Sequence, residues 1–238
     1  MVQKQDYRSK VYDTYGSVSG LNSYLSSKYS NLSQNIAPHL RNYARKGNLL
    51  DIGSGQGELL FLCRELGLES EGVDISPELV KSCAERGLKV TLTSDLFAYL
   101  KNVPRNDKMI VTLIDVLEHF TKAEAIELLD IIHAYVLHPN GKVIIQVPNM
   151  QNPFAALNFF HDLTHEWAYT EHSISQLLGI AGFKDIKVLP SDYPMVGMYV
   201  VRHWLRMLYY SYLRAILLID TPNRSSIITP NLIAVASA

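Results

Sequence analysis

The stretch Asn48–Leu60, NLLDIGSGQGELL, decides how this chain folds. Its mainly apolar first part predicts a short buried strand, and Gly53, Gly55 and Gly57 then mark a turn. Apolar residues return at helical spacing after the turn, which predicts a helix. Glycines let the backbone approach a ligand where a Cβ would collide, and the free N–H groups of the new helix point to the same place. The stretch therefore predicts a nucleotide-binding turn.

Composition indicates a globular protein without a phosphate-binding surface. The chain has 238 residues, of which 47% are hydrophobic, and a formal net charge of −1. That charge argues against a nucleic-acid partner. Its two cysteines, Cys63 and Cys83, are not in a metal or redox spacing, which favours a reducing compartment. Because neither a secretory signal nor an apolar run of about 20 residues is found, we expect a cytoplasmic protein, either free or peripheral to the inner membrane.

The pattern of apolar residues predicts alternating strands and helices. Strands are predicted at 49–52, 68–74, 89–92, 108–114, 142–147, 184–189 and 231–236. Helices are predicted at 20–29, 33–45, 77–86, 96–101, 123–137, 175–181 and 198–219, with a turn at 139–141. Apolar strands that alternate with helices predict an α/β fold, a seven-stranded, mostly parallel Rossmann-like sheet with helices on both faces.

The chain is predicted to be a single folding unit. Residues 1–47 form an N-terminal helical cap, and residues 48–238 form the main domain with a helical insertion at 198–219 before the last strand. The apolar insertion covers the core and the acceptor pocket, forms a homodimer interface, or lies on a membrane surface beside a lipid-linked substrate. Three tyrosines of the cap either pack against the sheet or help to close the ligand pocket: Tyr7, Tyr12 and Tyr15.

The spacing of the glycines indicates which ligand the turn binds. Gly53-x-Gly55-x-Gly57 is not the dinucleotide fingerprint, and no phosphate-loop lysine follows it. Asp51 precedes the turn. An acidic, glycine-lined turn suits a ligand with a cationic sulfonium and an amino-acid tail better than a pyrophosphate.

Residues at the ends of the next two strands complete this ligand site. Asp74 ends the second strand, where its carboxylate can accept hydrogen bonds from both ribose hydroxyls. Asp95 follows the third strand and can accept from an adenine amino group. Ile75 and Leu96 can hold the adenine ring between them.

Five motifs, taken in order and spacing, resemble those of class I S-adenosylmethionine-dependent methyltransferases. They are LLDIGSGQGELL at 49–60, EGVDIS at 71–76, TSDLF at 93–97, IVTLIDVLEHF at 110–120 and HPNGKVIIQVPN at 138–149. The resemblance covers roughly Asn48 to Pro190. The run from Asp115 to His119 is similar to a subgroup that includes quinone-biosynthesis O-methyltransferases and bacterial glycan-pathway methyltransferases.

The resemblance implies S-adenosylmethionine as cofactor and S-adenosylhomocysteine as product. It also implies that the glycine turn holds the methionine part, through Asp51, Gly53, Ser54, Gly55 and Gly57. Asp74, Ile75, Asp95 and Leu96 would hold the adenosine, and Asp115 and Val116 would line the sulfonium side.

Residues 149–174, which follow the fifth strand, are crowded with histidines and acids. Their DxTH…YT pattern resembles methyltransferases of bacterial surface-polysaccharide clusters. A sugar hydroxyl is a poor nucleophile until a base takes its proton, and histidine is the usual base. We expect His165 to be this base or to bind the acceptor, with His161 and then His119 as the next candidates. A nearby carboxylate, Asp162 or Glu166, would orient the ring. The alternative for each histidine is a helix cap or a buried, hydrogen-bonded ring.

A metal site is not predicted. His161 and His165 lie four residues apart and could bind one cation from a shared helix face. Pro153 and the mixed composition around the pair argue against a continuous helix there.

The sequence therefore favours a methyltransferase that O-methylates a sugar or small-molecule hydroxyl, on a nucleotide- or lipid-linked glycan of polysaccharide biosynthesis. A phenolic quinone precursor or another small metabolite is the first alternative acceptor. The second alternative is a non-catalytic cofactor-binding partner in a biosynthetic complex. A nucleic-acid substrate is disfavoured by the charge, and Pro148–Asn149 does not begin the tetrapeptide that binds flipped bases.

Overall fold

The computed structural model describes residues 21–45, 47–191, 199–220 and 227–238. Tyr7, Tyr12 and Tyr15 lie outside the described residues. The helices are α1 Leu21–Asn35, α2 Ala37–Leu40, α3 Glu58–Leu66, α4 Pro77–Glu85, α5 Leu96–Asn102, α6 Lys122–Ile131, α7 Ala155–Phe159, α8 Glu171–Ile180 and α9 Tyr199–Asp220. The strands are β1 Asn48–Ile52, β2 Glu69–Asp74, β3 Val90–Leu92, β4 Lys108–Ile114, β5 Leu137–Pro148, β6 Lys184–Ser191 and β7 Asn231–Ser237.

The strands form one seven-stranded sheet in the order β3-β2-β1-β4-β5-β7-β6. β1 pairs in parallel with β2 and β4, while β7 is antiparallel to both of its neighbours, β5 and β6. The predicted mostly parallel Rossmann-like sheet is confirmed. The strand order reverses between β1 and β4, and ligands bind beyond the carboxyl ends of the strands at such a point. The glycine turn after β1 and Asp115 after β4 lie at this point.

The two faces of the sheet carry separate apolar cores. Alternate residues of a strand point to opposite faces, so Leu50 and Ile52 of β1 join one core and Leu49 joins the other. The second core also contains Leu32 of α1 and Leu40 of α2. The N-terminal helices are therefore packed against the same face of the sheet as Leu49.

The predicted break between the first two helices is in the wrong place. Helix α1 continues to Asn35 because no glycine or proline interrupts residues 29–35. The chain turns at Ile36 instead, and α2 follows with Pro38 in its first turn. Proline lacks the N–H that a continuing helix would need, but it is tolerated where a new helix starts.

The boundary between α6 and β5 also differs from the prediction. The helix expected at 123–137 ends at Ile131, and a π-helical turn, Ile132–Val136, follows it. Strand β5 then begins at Leu137, so the turn predicted at 139–141 is absorbed into its start. The pairing of β4 with β5 shifts register between Lys108 and Ile110, which accommodates these extra residues.

Helix α9, the predicted insertion, exposes most of its described apolar side chains. The exposed ones are Val201, Trp204, Leu205, Met207, Leu208, Tyr212, Ile216, Leu218 and Ile219. Only Tyr210 is buried among its described side chains. The three interpretations of this helix, as a cover for the core and the acceptor pocket, as a homodimer interface and as a membrane-surface contact, stay predictions, as does the cytoplasmic location. Within the described ranges, every helix is too short or too polar to cross a bilayer.

Candidate functional site

The glycine turn between β1 and α3 has a backbone that favours glycine at three positions. The φ angles of Gly53, Gly55 and Gly57 are 69°, 54° and 77°, in the left-handed region that side chains disfavour. A Cβ on Gly53 would also lie 2.5 Å from Cγ2 of Val116. Val116 therefore packs directly against the turn, and the first glycine permits this close approach.

We expect Gly53→Ala to destabilise the protein by about 2 kcal/mol, because it adds a steric overlap to an unfavourable φ. Gly55→Ala is the matched control, since φ is similar there but the added Cβ would meet only a backbone oxygen at 4.0 Å. Urea unfolding of both variants measures the difference. Adding Val116→Ala to Gly53→Ala should restore part of the lost stability. Equal losses of stability in the two glycine variants would show that the overlap with Val116 has no effect.

Asp74, at the end of β2, fixes the glycine turn to the neighbouring strand. Its Oδ2 accepts a hydrogen bond of 2.8 Å from the backbone N–H of Gly55, and its Oδ1 accepts one of 2.9 Å from Ser76. Burial raises the pKa of Asp74, and these N–H groups oppose the shift by stabilising the carboxylate. Each carboxylate oxygen has a second lone pair, so Asp74 can still accept hydrogen bonds from a ligand.

Asp51, the last acid before the turn, is buried at the base of a narrow cavity. Its Oδ1 accepts a hydrogen bond of 2.7 Å from the hydroxyl of Thr112 on β4. Burial raises the pKa of Asp51 to about 7, although the Thr112 hydrogen bond opposes the shift. The cavity is lined by Lys28, Leu32, Asp51, Gly53, Ser54, Glu58, Leu59 and Ile114.

Two of these lining residues extend the site beyond the predicted acids. Lys28 of α1 lines the cavity, and its positive charge lowers the pKa of Asp51 and Asp74 against the effect of burial. Ser54 Oγ is buried, and no hydrogen-bond partner reaches it among the described residues. Lys28 lies on the polar N-terminal helix outside every motif, so no signal in the sequence indicates its place in this cavity.

Asp115 is held at the end of β4 by its neighbour β5. Its φ of 57° is unusual for a residue with a side chain, although aspartate tolerates it better than most. Gln146 Nε2 donates a hydrogen bond of 2.9 Å to Asp115 Oδ1, and Gln146 Oε1 accepts one of 3.2 Å from Ser191. These contacts orient the Asp115 carboxylate beside Val116. In the sequence, Gln146 is an ordinary residue inside a strand, and nothing local indicates its contact with Asp115.

The predicted adenine-binding residues lie at the adjoining helix starts. Asp95 is exposed and caps α5 by accepting a hydrogen bond of 2.9 Å from the N–H of Ala98. Ile75 is 43% exposed, so its side chain is open to an aromatic ring, while Leu96 packs partly against the core. The structure thus gives Asp95 a capping role, and adenine binding by these residues stays a prediction.

Two histidines from distant parts of the chain meet near Asp115, whose charge acts on one of them, His119. The rings of His119 and His165 have centroids 4.8 Å apart. His119 Nδ1 lies 2.7 Å from Thr164 Oγ1, and the Thr164 hydroxyl donates to Asp162 Oδ1 at 2.6 Å. Since the hydroxyl proton is used there, His119 Nδ1 is the donor to Thr164. His165 Nδ1 donates to the carbonyl of Phe159 at 2.8 Å. We infer that each ring carries its lone pair on Nε2.

His161 is not part of this pair. Helix α7 ends at Phe159, so His161 and His165 do not share a helix face, and His161 is exposed. The carboxylate of Asp162 is linked to His119 through the hydroxyl of Thr164. The sequence spacing did not indicate this link, and the role of Asp162 in orienting a catalytic ring stays a prediction.

Glu118 lies next to His119 and is almost fully buried, at 1% exposure. Its Oε2 has no hydrogen-bond partner among the described residues. Burial raises the pKa of Glu118 well above its usual value, and the charge of Asp115 adds to the shift. Burial lowers the pKa of His119, and His165 adds to that effect, so His119 is neutral near pH 7. The sequence analysis placed Glu118 in a motif but gave it no role.

Comparison with known proteins identifies the family. The family model described as a methyltransferase domain matches residues 22–188, which is more than half of the chain. The chain belongs to the methyltransferase-domain family. The methyltransferase family and the enzyme class predicted from the motifs are thereby confirmed. No curated protein matches this methyltransferase in sequence.

Solved structures share the fold of this methyltransferase. A SAM-dependent methyltransferase from Archaeoglobus fulgidus has a TM-score of 0.67 and 23% identity, over 98% of this chain and 100% of its own. The Burkholderia thailandensis 1,6-didemethyltoxoflavin-N1-methyltransferase, with bound 1,6-didemethyltoxoflavin and S-adenosylhomocysteine, has a TM-score of 0.60 and 17% identity, over 97% and 86%. A chain from the complex of the Haloferax volcanii Trm112 methyltransferase activator with a methyltransferase has a TM-score of 0.64 and 14% identity, over 95% and 97%.

Proposed function

We propose that this methyltransferase transfers a methyl group from S-adenosylmethionine to a hydroxyl of a sugar or another small molecule. The observation that carries the proposal is the junction of two features at one edge of the sheet. Asp51 and Asp74 flank the glycine turn, and the charge of Asp115, next to that turn, acts on both Glu118 and His119. The proposed methyl-donor site would therefore lie next to the histidine pair, His119 and His165, which would accept the proton of the acceptor.

The chemistry of the cavity fits S-adenosylmethionine. Its acids include Asp51 and Glu58, with Asp74 close enough for its charge to raise the pKa of Asp51. Such a rim attracts the sulfonium and ammonium groups of the ligand but would repel a pyrophosphate. Ser54 Oγ, buried without a partner among the described residues, would gain a hydrogen bond from the bound ligand.

The two ends of the ligand would be held by different residues. Asp51 would bind the ammonium group and Lys28 the carboxylate of the methionine part, because both line one cavity. Asp74 would accept the ribose hydroxyls with the lone pairs that Gly55 and Ser76 leave available. The adenine would lie against Ile75 and Leu96 near Asp95.

The affinity for S-adenosylhomocysteine should rise with pH if Asp51 binds the ammonium group. The pKa of Asp51 is about 7 in the free protein, so binding requires loss of its proton at lower pH. Between pH 6 and pH 7.5 the ionised fraction, and with it the affinity, should increase by about eightfold. Asp51→Asn cannot ionise and should show a flat profile. Calorimetric titration of both proteins tests this, and an equal pH dependence in the variant would contradict the assignment.

Lys28→Ala should weaken S-adenosylhomocysteine binding by about tenfold, because it removes a charge-assisted hydrogen bond to the carboxylate. The matched control is the ligand 5′-methylthioadenosine, which lacks the amino-acid tail. Its affinity should be the same for wild type and Lys28→Ala. Parallel losses for both ligands would show that Lys28 supports the fold of the cavity rather than the carboxylate.

The histidine pair would remove the proton of the acceptor hydroxyl. S-Adenosylmethionine, when bound, supplies a methyl group that is already electrophilic, so the chain's task is orientation and proton removal. Nε2 of His165 or of His119 carries the lone pair that can take this proton. The hydrogen bonds of Nδ1 to Phe159 and Thr164 hold each ring in that tautomer.

A glycan acceptor of polysaccharide biosynthesis is the proposed substrate class, because an alkyl hydroxyl depends most on such a base. A screen of nucleotide sugars, lipid-linked glycans and phenols for release of S-adenosylhomocysteine tests it. Turnover with phenols alone would identify the quinone-precursor alternative. Tight cofactor binding without turnover on any acceptor would identify the non-catalytic alternative.

A further inference from the structure

We propose that Glu118, His119 and His165 form a binding site for one divalent transition-metal ion. One ligand atom from each of these three residues lies within 4.8 Å of the other two. Ligands of a tetrahedral zinc ion at about 2.1 Å are about 3.4 Å apart, so small side-chain rotations would bring these donors together. The site differs from the His161–His165 pair that the sequence suggested, because it uses two histidines from separate elements.

The hydrogen bonds around the two rings are those that metal-binding histidines make. A histidine that binds a metal through one ring nitrogen donates the N–H of the other to a carbonyl or a carboxylate, which fixes the tautomer and the ring plane. His165 Nδ1 donates to the carbonyl of Phe159. His119 Nδ1 donates to the hydroxyl oxygen of Thr164, and this hydroxyl in turn donates a hydrogen bond to Asp162 Oδ1. Both rings therefore have Nε2 as the atom with a lone pair for a metal.

Glu118 supplies the third donor, and its burial needs an explanation. It is 1% exposed, and its Oε2 has no hydrogen-bond donor among the described residues. A buried polar atom without a partner is unfavourable by roughly 1–3 kcal/mol, and more when it is ionised. A cation bound to Oε2 would compensate that desolvation.

The donor set selects the type of cation. Two imidazole nitrogens and one carboxylate oxygen suit Zn²⁺, Co²⁺ or Mn²⁺, whereas Mg²⁺ prefers oxygen ligands and water. Three protein ligands leave a coordination position open, as in catalytic zinc sites. The open position would accept an oxygen from water or from the methyl acceptor.

The proposed metal binding does not depend on the proposed function, but a role of the metal in methyl transfer rests on it. In the metal-bound form the imidazoles are ligands and do not act as bases. The cation would bind the acceptor oxygen and lower the pKa of its hydroxyl, so that the proton passes to solvent water. Acceptors with two adjacent hydroxyl groups would then bind best, because both oxygens can reach the cation.

Binding of Zn²⁺ and Co²⁺ to the untagged, chelator-treated full chain tests the proposal. We expect one equivalent of Zn²⁺ in competition with a chromogenic chelator, and a visible absorption band of four- or five-coordinate Co²⁺. His165→Ala should weaken Zn²⁺ binding at least 100-fold, and Thr164→Val should weaken it about tenfold by releasing His119. His161→Ala is the matched control, because His161 is exposed four residues away, and it should bind like wild type.

Several outcomes would overturn the site. They are a folded wild type that binds no metal, an affinity unchanged in His165→Ala, and an equal loss in His161→Ala. Glu118→Gln completes the series, and His165→Ala remains decisive if the buried Gln variant does not fold. S-Adenosylhomocysteine binding is measured on the same samples. Metal binding without cofactor binding would end the proposed function alone, and cofactor binding without metal binding would end this inference alone.

Discussion

Replacing Asp74 with alanine is expected to weaken S-adenosylhomocysteine binding by about 100-fold, or about 2.7 kcal/mol. The variant loses the proposed contacts to the ribose hydroxyls. It also loses the acceptors that tie Gly55 at 2.8 Å and Ser76 at 2.9 Å to the end of β2. Both effects act on the same ligand, because the glycine turn and the carboxylate form one rim. Isothermal titration calorimetry measures the loss.

Two further variants separate these effects. Asp74→Asn keeps one acceptor oxygen but cannot accept from both N–H groups and the ribose. It should therefore lose less affinity for S-adenosylhomocysteine than Asp74→Ala does. Glu78→Ala is the control, because this acid is exposed in the first turn of the following helix, α4. Thermal unfolding checks that each variant is folded. A folded Asp74→Ala with an affinity within about twofold of wild type would remove Asp74 from the cofactor site.

His165→Ala is expected to lower kcat by about 10²–10³-fold and to leave the affinity for S-adenosylhomocysteine nearly unchanged. The reason is that the proposed function gives His165 Nε2 a role toward the acceptor, as a base or as a metal ligand, and assigns the cofactor contacts to other residues. Single-turnover methyl transfer and calorimetry together separate the two quantities.

His161→Ala supplies the comparison for this variant as well. It removes a nearby imidazole that is exposed, so kcat should stay within about twofold of wild type. A large loss of cofactor affinity in His165→Ala, with kcat preserved, would place His165 in the cofactor site. Equal effects of the two substitutions would mean that the ring pair of His119 and His165 has no special role.

Local sequence was sufficient to predict the strand, the glycine turn and the helix that follows. The mainly apolar sequence of β1 and the left-handed φ values at Gly53, Gly55 and Gly57 are properties of a few consecutive residues. The mostly parallel sheet also followed from the sequence, because apolar strands alternating with helices have few alternative arrangements. The order of the strands came from the tertiary structure. Boundaries were less accurate where a π-helical turn or a register shift intervened, since neither leaves a periodic signal.

The residues that sequence reasoning missed are those whose roles depend on distant partners. Lys28 enters the cavity from α1, and Gln146 reaches Asp115 from β5. Neither lies in a motif that suggests these contacts. Conversely, His161 was favoured because of its neighbours in sequence, and the end of α7 at Phe159 separates it from His165.

The sequence by itself determined the glycine turn, the acids at the strand ends and the methyltransferase family. These features are encoded by backbone preferences and short spacings, which act within one strand–turn–helix unit. Only the tertiary structure decided the cluster in which Glu118 and His119 after β4 meet His165 after α7. The direction in which a loop returns across the sheet depends on packing between remote elements, and no local periodicity specifies it.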